Sequence, residues 1–266
     1  MHMSAPHRIG PVITVTGTSL LVGCGGSGPY CGSYGSSYGY SYGSCGYAYA
    51  AGPGIYAGTL RSTTYPQGTP VVALIAENGE GRISGADGSY YRINVSPSGS
   101  ALTGNFTGYS QSTPLANGAQ SVAGTLSGAA NRTGLSVTLT DSTNAQQQLT
   151  LTPDSAYNLG SSLTTLVGNW SYSANGFTLT TTIQSNGTFS ATDSNSCTYN
   201  GSFSLIDPNV NEYAETHVRS CNGVNTTFTG LAAFIPGSGT GAAGTPTQLR
   251  LLSDDDAGDY LAAELE

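Results

Sequence analysis

The side chains best equipped for chemistry lie in one run, Tyr213-Ala214-Glu215-Thr216-His217-Val218-Arg219-Ser220-Cys221. In an extended strand alternate residues share a face. Tyr213, Glu215, His217, Arg219 and Cys221 therefore point one way, and Ala214, Thr216, Val218 and Ser220 the other. A carboxylate, an imidazole and a guanidinium in one row could bind an anionic or hydrogen-bonding ligand, or tune a histidine. The commoner origin of such a row is the solvated face of an amphipathic strand, and that is the expectation here. A Ser-His-Asp hydrolase would have to use His217, the one histidine beyond Cys24, but no G-x-S-x-G phrase occurs and no strand–turn–helix could raise a nucleophile. A glycosidase needs two carboxylates across a cleft, and acidic residues are sparse in the body of the chain. Asp254-Asp255-Asp256-Ala257-Gly258-Asp259 gathers carboxylates as calcium loops do, yet it lacks the EF-hand spacing and the closing bidentate Glu. It reads as a solvated hairpin turn. The expectation is a non-catalytic protein with no cofactor and no metal site.

The elements that must position these residues are strands. Val, Ile, Leu, Tyr and Phe recur in short alternating segments separated by Asn78-Gly79, Asp87-Gly88, Pro97-Ser98-Gly99 and Asn186-Gly187, which carry tight-turn chemistry. Candidate strands are 55–61, 70–77, 81–85, 90–96, 101–109, 121–127, 135–140 and 147–151. After a connector over 154–167, a second set follows at 169–173, 177–184, 188–192, 197–205, 212–221, 226–235, 247–252 and 260–265. The halves open alike, with Gly54-Ile55-Tyr56 and Gly168-Asn169-Trp170, and each holds a Phe-Thr-Gly phrase, at Phe106 and Phe228. Sequential antiparallel strands are best satisfied by closing the sheet, which removes exposed edges. The fold class is all-β: two small antiparallel, up-and-down, barrel-like domains over 54–160 and 161–266. Two sandwiches are the alternative. A disordered tether over 24–53, rich in Gly, Ser and Tyr, precedes them.

Composition narrows the partners. The chain has 266 residues, 8% of them charged, and a formal net charge of −8; every basic residue is Arg. No basic stripe exists, so nucleic acid is not an expected partner. Beyond Cys24 no apolar run reaches the length of a membrane-spanning helix. Of five cysteines, Cys31, Cys45, Cys197 and Cys221 allow three pairings. The simplest joins Cys31 to Cys45 and Cys197 to Cys221, because each pair lies within one segment. An exported chain could oxidise them.

Leu21-Val22-Gly23-Cys24 resembles the lipobox of bacterial lipoproteins. Residues 1–8 form a weakly basic start, and 9–20 a short apolar run carrying Thr, Ser and Gly. The run is too short to span a bilayer, which fits a cleaved signal peptide over 1–23. A single firm positive charge, Arg8, and Pro11 depart from the usual pattern. The resemblance implies cleavage before Cys24, lipidation of its thiol, and anchoring. Gly25, where lipoproteins retained in the inner membrane carry Asp, implies the outer membrane.

The second half is similar to a set of uncharacterised β-rich lipoproteins of Gram-negative bacteria, through Asn186-Gly187-Thr188-Phe189-Ser190, Cys197-Thr198-Tyr199-Asn200-Gly201-Ser202-Phe203, Ile206-Asp207-Pro208 and Thr227-Phe228-Thr229-Gly230-Leu231-Ala232. Gly168-Asn169-Trp170 also resembles the Gly-x-Trp that opens the first strand of lipocalins, and that likeness implies an Arg, here Arg250, stacked over Trp170. The expected function is a structural or protein-binding module at the cell envelope, held at the membrane by its lipid, with an envelope or extracellular protein as partner. One alternative is a lipocalin-like binder using Trp170 and the face of Tyr213, Glu215, His217 and Arg219. Another is an inhibitor or immunity protein against a cell-wall hydrolase. Gly201, Gly230, Ala232 and Ala233 could leave a cavity or merely allow tight strand curvature.

Overall fold

The computed structural model of the chain describes residues 52–63, 65–98, 100–109, 121–131, 133–174, 176–237 and 247–266. Cys24, Cys31 and Cys45, the expected signal peptide and all but the last two residues of the expected tether lie outside them. The described residues belong to one compact unit, Tyr49–Glu266.

Eight strands make a first barrel: β1 (Gly54–Arg61), β2 (Thr69–Ile75), β3 (Glu80–Gly85), β4 (Tyr90–Ser98), β5 (Ala101–Tyr109), β6 (Ser121–Asn131), β7 (Gly134–Asp141) and β8 (Gln146–Pro153). Each pairs antiparallel with the next, and β1 closes on β8 from Tyr56 opposite Pro153 to Arg61 opposite Gln148. Asn78-Gly79 and Asp87-Gly88 make turns as the sequence announces, whereas Pro97 and Ser98 belong to the end of β4, paired with Leu102 and Ala101, and Gly99 lies outside the described residues. In the β2–β3 turn the Asn78 carboxamide accepts the Glu80 N–H at 2.9 Å, and Gly79 takes φ +84°. A side chain at Gly79 would meet the Val95 carbonyl at 2.1 Å, so both the turn and the neighbouring strand require glycine. The interior is apolar: Tyr56, Leu60, Val71, Ile75, Ile83, Ile93, Leu102, Phe106, Leu126, Val137, Leu139, Leu149 and Leu151 form one buried cluster with their neighbours.

Two short 3₁₀ turns, Ser155–Asn158 and Leu163–Leu166, carry the chain across. Each is capped by a side chain, Asp154 accepting from Ala156 and Ser162 from Thr164. The second set of strands is β9 (Gly168–Ala174), β10 (Phe177–Ile183), β11 (Thr188–Asp193), β12 (Thr198–Leu205), β13 (Tyr213–Cys221), β14 (Val224–Ile235), β15 (Gln248–Asp254) and β16 (Tyr260–Leu265). They too run up and down in chain order. The two ends meet through reciprocal backbone hydrogen bonds of 2.8 Å between Ser171 and Glu266, which leave the sheet barrel-like. Period-two alternation is plain along β10 and β11. Leu179, Thr181, Ile183, Phe189, Ala191 and Asp193 are buried while the Thr and Ser between them face out. The Cys197–Cys221 disulfide joins the residue before β12 to the end of β13, with Cα atoms 4.5 Å apart, as the hairpin geometry predicts.

The sheets pack side by side, β2 and β3 against β14 and β15. Alternation explains how one strand serves two cores. On β15, Leu249 and Leu251 fill the second barrel, while Leu252 turns outward to a separate apolar cluster between the sheets, with Ile55, Leu74, Tyr90, Leu231 and Ala233. Within this seam Tyr90 stacks on Tyr260, ring centroids 4.6 Å apart and 9° from parallel, and the Tyr260 hydroxyl donates to the Gly88 carbonyl. Arg82 is buried there. Its Nε lies 2.5 Å from Asp254 Oδ2 and its Nη2 2.9 Å from Glu80 Oε1. Arg92 reaches Asp254 Oδ1 at 3.6 Å and pairs with Asp256.

Asp254 corrects the expectation of a wholly solvated acidic turn. It is the last residue of β15, 1% exposed, and takes Arg82, Arg92 and the Tyr90 hydroxyl as partners. The turn proper starts at Asp255, whose Oδ1 accepts the N–H groups of Ala257, Gly258 and Asp259, each at 2.9 Å. Burial pushes the Asp254 carboxyl up, and the two guanidinium groups draw it back down. Removing one partner of a buried pair strands the other charge, so Asp254→Ala should cost about 3–5 kcal/mol in urea unfolding. The double replacement Arg82→Met with Asp254→Leu should recover most of that loss. A single mutant as stable as the wild type would show that the pair does not hold the seam.

Candidate functional site

The row on β13 faces into the second barrel. Glu215 and His217 are 2% and 1% exposed, and Tyr213 is fully buried. The solvated-face expectation is overturned: Thr216 is the exposed residue between them. The physical reason lies on the neighbouring strands, where β12 and β14 present Gly201 and Phe228 opposite His217 and keep that side apolar and enclosed.

Inside, the polar groups are held by one another and by rings. His217 Nδ1 lies 2.6 Å from Glu215 Oε1. The imidazole stacks on Phe228, centroids 4.7 Å apart and 6° from parallel, with Tyr199 and Phe189 at 5.6 and 6.1 Å. The Arg219 guanidinium lies 5.1 Å from the Phe228 ring centre and its Nη2 donates to Asp259 Oδ2 at 2.6 Å. The Tyr199 hydroxyl donates to Asp193 Oδ2 at 2.7 Å, which with burial pushes the phenol far up. Burial also raises the Glu215 carboxyl, while His217 and then Ser253 draw it back. Among the described residues four atoms of this row and its neighbours make no hydrogen bond of normal geometry: Glu215 Oε2, His217 Nε2, Arg219 Nε and Ser253 Oγ. Among the described residues no group of three His, Cys, Asp or Glu side chains is arranged to hold a metal ion.

Trp170 stands apart from that row. It packs against the second core, edge-on to Phe234 at 6.3 Å, and its indole N–H donates to the Leu166 carbonyl at 2.8 Å. Arg250 does not share its face. The alternation of β15 points Leu249 and Leu251 inward, and the Arg250 guanidinium is bound instead to Glu264 Oε1 on β16, at 2.9 and 2.7 Å. Tyr213 donates to the Ser162 carbonyl and accepts its N–H, tying β13 to the connector.

Sequence reasoning missed the polar residues between the sheets. Asn211 bridges the connector to β14, donating through Nδ2 to the Ala156 and Phe234 carbonyls and accepting the Phe234 N–H at 3.1 Å. Glu212, expected to open a strand, precedes β13 and is 1% exposed. A lone Arg82 between Gly81 and Ile83 carried one signal. An isolated charge flanked by inward-facing residues on a short strand needs a partner wherever that second face is also covered.

The glycines and alanines expected either to leave space or to allow close strands do the latter. A side chain at Gly201 would meet the Thr216 carbonyl at 2.3 Å and His217 Cβ at 2.5 Å; one at Gly230 would meet the Leu252 carbonyl at 2.2 Å. Ala232 belongs to the second core and Ala233 to the seam. No family model, no curated protein and no solved structure matches the chain.

Gly201→Ala should therefore destabilise the protein by about 1–3 kcal/mol, because backbone cannot yield as a side chain does. Urea denaturation followed by tyrosine and tryptophan fluorescence would measure it. A neutral result would mean that the space beside His217 is open.

Proposed function

We propose that the chain is a lipid-anchored, non-catalytic module of the bacterial cell envelope, structural or protein-binding, attached at the outer membrane through Cys24. The observation that carries the reading is what lines both interiors. The buried cluster of the first barrel is aliphatic and aromatic, and in the second Glu215 is paired with His217 and Arg219 with Asp259, both against the Phe228 ring. A binding site instead needs a concave space with convergent polar groups. The lipobox-like Leu21-Val22-Gly23-Cys24 supports the anchor, and the net charge of −8 with its few, mostly paired arginines argues against polyanionic partners. In this reading the outer faces, rich in Ser, Thr and Asn, meet the partner.

One observation favours a second reading. Glu215 Oε2, His217 Nε2 and Ser253 Oγ, all buried and without a hydrogen bond of normal geometry among the described residues, would suit a small polar ligand enclosed in the second barrel. Buried polar groups are almost always satisfied by something.

Labelling with radioactive palmitate in a Gram-negative host tests the anchor. Label should follow the wild type into the outer-membrane fraction, and Cys24→Ala should accumulate as an unlabelled, uncut precursor. Normal processing of that variant would end the proposal. Native mass spectrometry of the same wild-type protein separates the two interior readings: the lipidated mass alone supports the filled barrels, whereas a discrete further adduct of a few hundred daltons moves the function to ligand binding.

A further inference from the structure

Glu212 has the least supported charge in the seam between the sheets. Both of its carboxylate oxygens lack a hydrogen-bond partner, and the residue is 1% exposed. Among the described residues its surroundings offer no cation. From β1 it faces Tyr56, whose hydroxyl is used by the Gly52 carbonyl. Beyond the end of β2 lies Glu77, and Asp207 on Glu212's own loop lies close enough to act on Glu77. From the connector come Asp154, committed to capping the Ser155–Asn158 turn, and Tyr157, whose carbonyl accepts the Asn211 N–H at 3.0 Å. From β14 comes the Phe234 backbone, bound to Asn211. Arg82, Arg92, Arg219 and Arg250 are engaged with other carboxylates, and Arg61 sits at the opposite end of β1.

An ionised carboxylate buried without a partner is far more costly than a neutral one. The same loop also makes the cross-connections of the seam. Ser161 binds the Asp207 and Pro208 carbonyls, and Asn211 binds the connector and β14. We propose that Glu212 is a proton-operated latch: uncharged, it lets loop 206–212 close on the seam between the two barrels, and ionised, it releases that loop. Burial first, and Glu77 second, push its carboxyl up to about 8, so the switch falls near neutral pH.

The direction follows from linkage. The folded chain holds this proton more tightly than the unfolded chain, whose carboxyl titrates in the ordinary range near 4.3. Stability is therefore complete below that range and is lost as pH climbs to about 8, beyond which it levels. One proton changes an opening equilibrium by at most about tenfold per pH unit.

Hydrogen exchange of the full-length protein tests this, with amide protection corrected for intrinsic rates between pH 6 and 9. Protection at Asn211 and Phe234 should fall by about tenfold per pH unit at most up to pH 8, while amides in β6 and β7 hold. Glu212→Gln should flatten that slope. An unchanged slope in the variant overturns the latch. Should the variant fail to fold, carbon-13 spectra of the wild-type Glu carboxyls, assigned through the backbone, decide: a Glu212 carboxyl un-ionised at pH 6.5 that titrates near 8 supports the proposal, and a Glu212 carboxyl ionised at pH 6.5 contradicts it. Calcium chloride that raises protection at pH 8 in the wild type and not in Glu212→Gln would make the site a cation site and overturn the proton latch.

Discussion

The buried contact between Arg82 and Asp254 is the constraint on which the arrangement of the two sheets depends. A guanidinium and a carboxylate, each about 1% exposed, are tolerable away from water only in each other's company. That requirement fixes which strands meet. Arg82 projects outward from the first barrel at β3, and Asp254 projects outward from the second at the end of β15, so those strands must face each other. Once they do, Tyr90 and Tyr260 can stack and Leu74, Leu231 and Leu252 are covered. A buried ion pair is weak evidence of extra stability, because an apolar pair can serve as well. Its contribution here is to register: few other placements of the two barrels would leave both charges matched.

The same logic of matched groups runs through the second interior. Its row of Glu215, His217 and Arg219 would be prohibitive in a dry core if each stood alone. The pair of Glu215 with His217, the bond from Arg219 to Asp259 and the stacking on Phe228 make it admissible. The first barrel avoids the problem by using aliphatic and aromatic residues. Two sheets of like topology thus line their interiors with different chemistry. In the second the glycines opposite and beside the polar row, Gly201 and Gly230, let the strands approach closely enough to enclose it.

Much of this was legible in the sequence, because up-and-down strands are local objects. Turn pairs such as Asn78-Gly79 and Asn186-Gly187 set hairpin ends, and period-two alternation set faces, so all sixteen strands stand close to where the pattern puts them. The Cys197–Cys221 bridge follows from the same hairpin register. What alternation cannot reveal is which face meets water. It correctly grouped Tyr213, Glu215, His217 and Arg219 yet gave no reason to bury them, since charge normally marks the outside. Nor does a pattern within one strand disclose that its outward side meets a second barrel. The partners of Arg82, Asp254, Asn211 and Glu212 are hidden for that reason, being residues more than a hundred positions away or carbonyls that any sequence carries.

The two barrels form one cooperative body joined through the seam of Arg82 and Asp254, and scanning calorimetry of the full-length protein tests this most directly. A single transition is expected, with calorimetric and van't Hoff enthalpies in agreement. Two resolved transitions, each carrying about half the heat, would show that the barrels melt independently and would contradict the account.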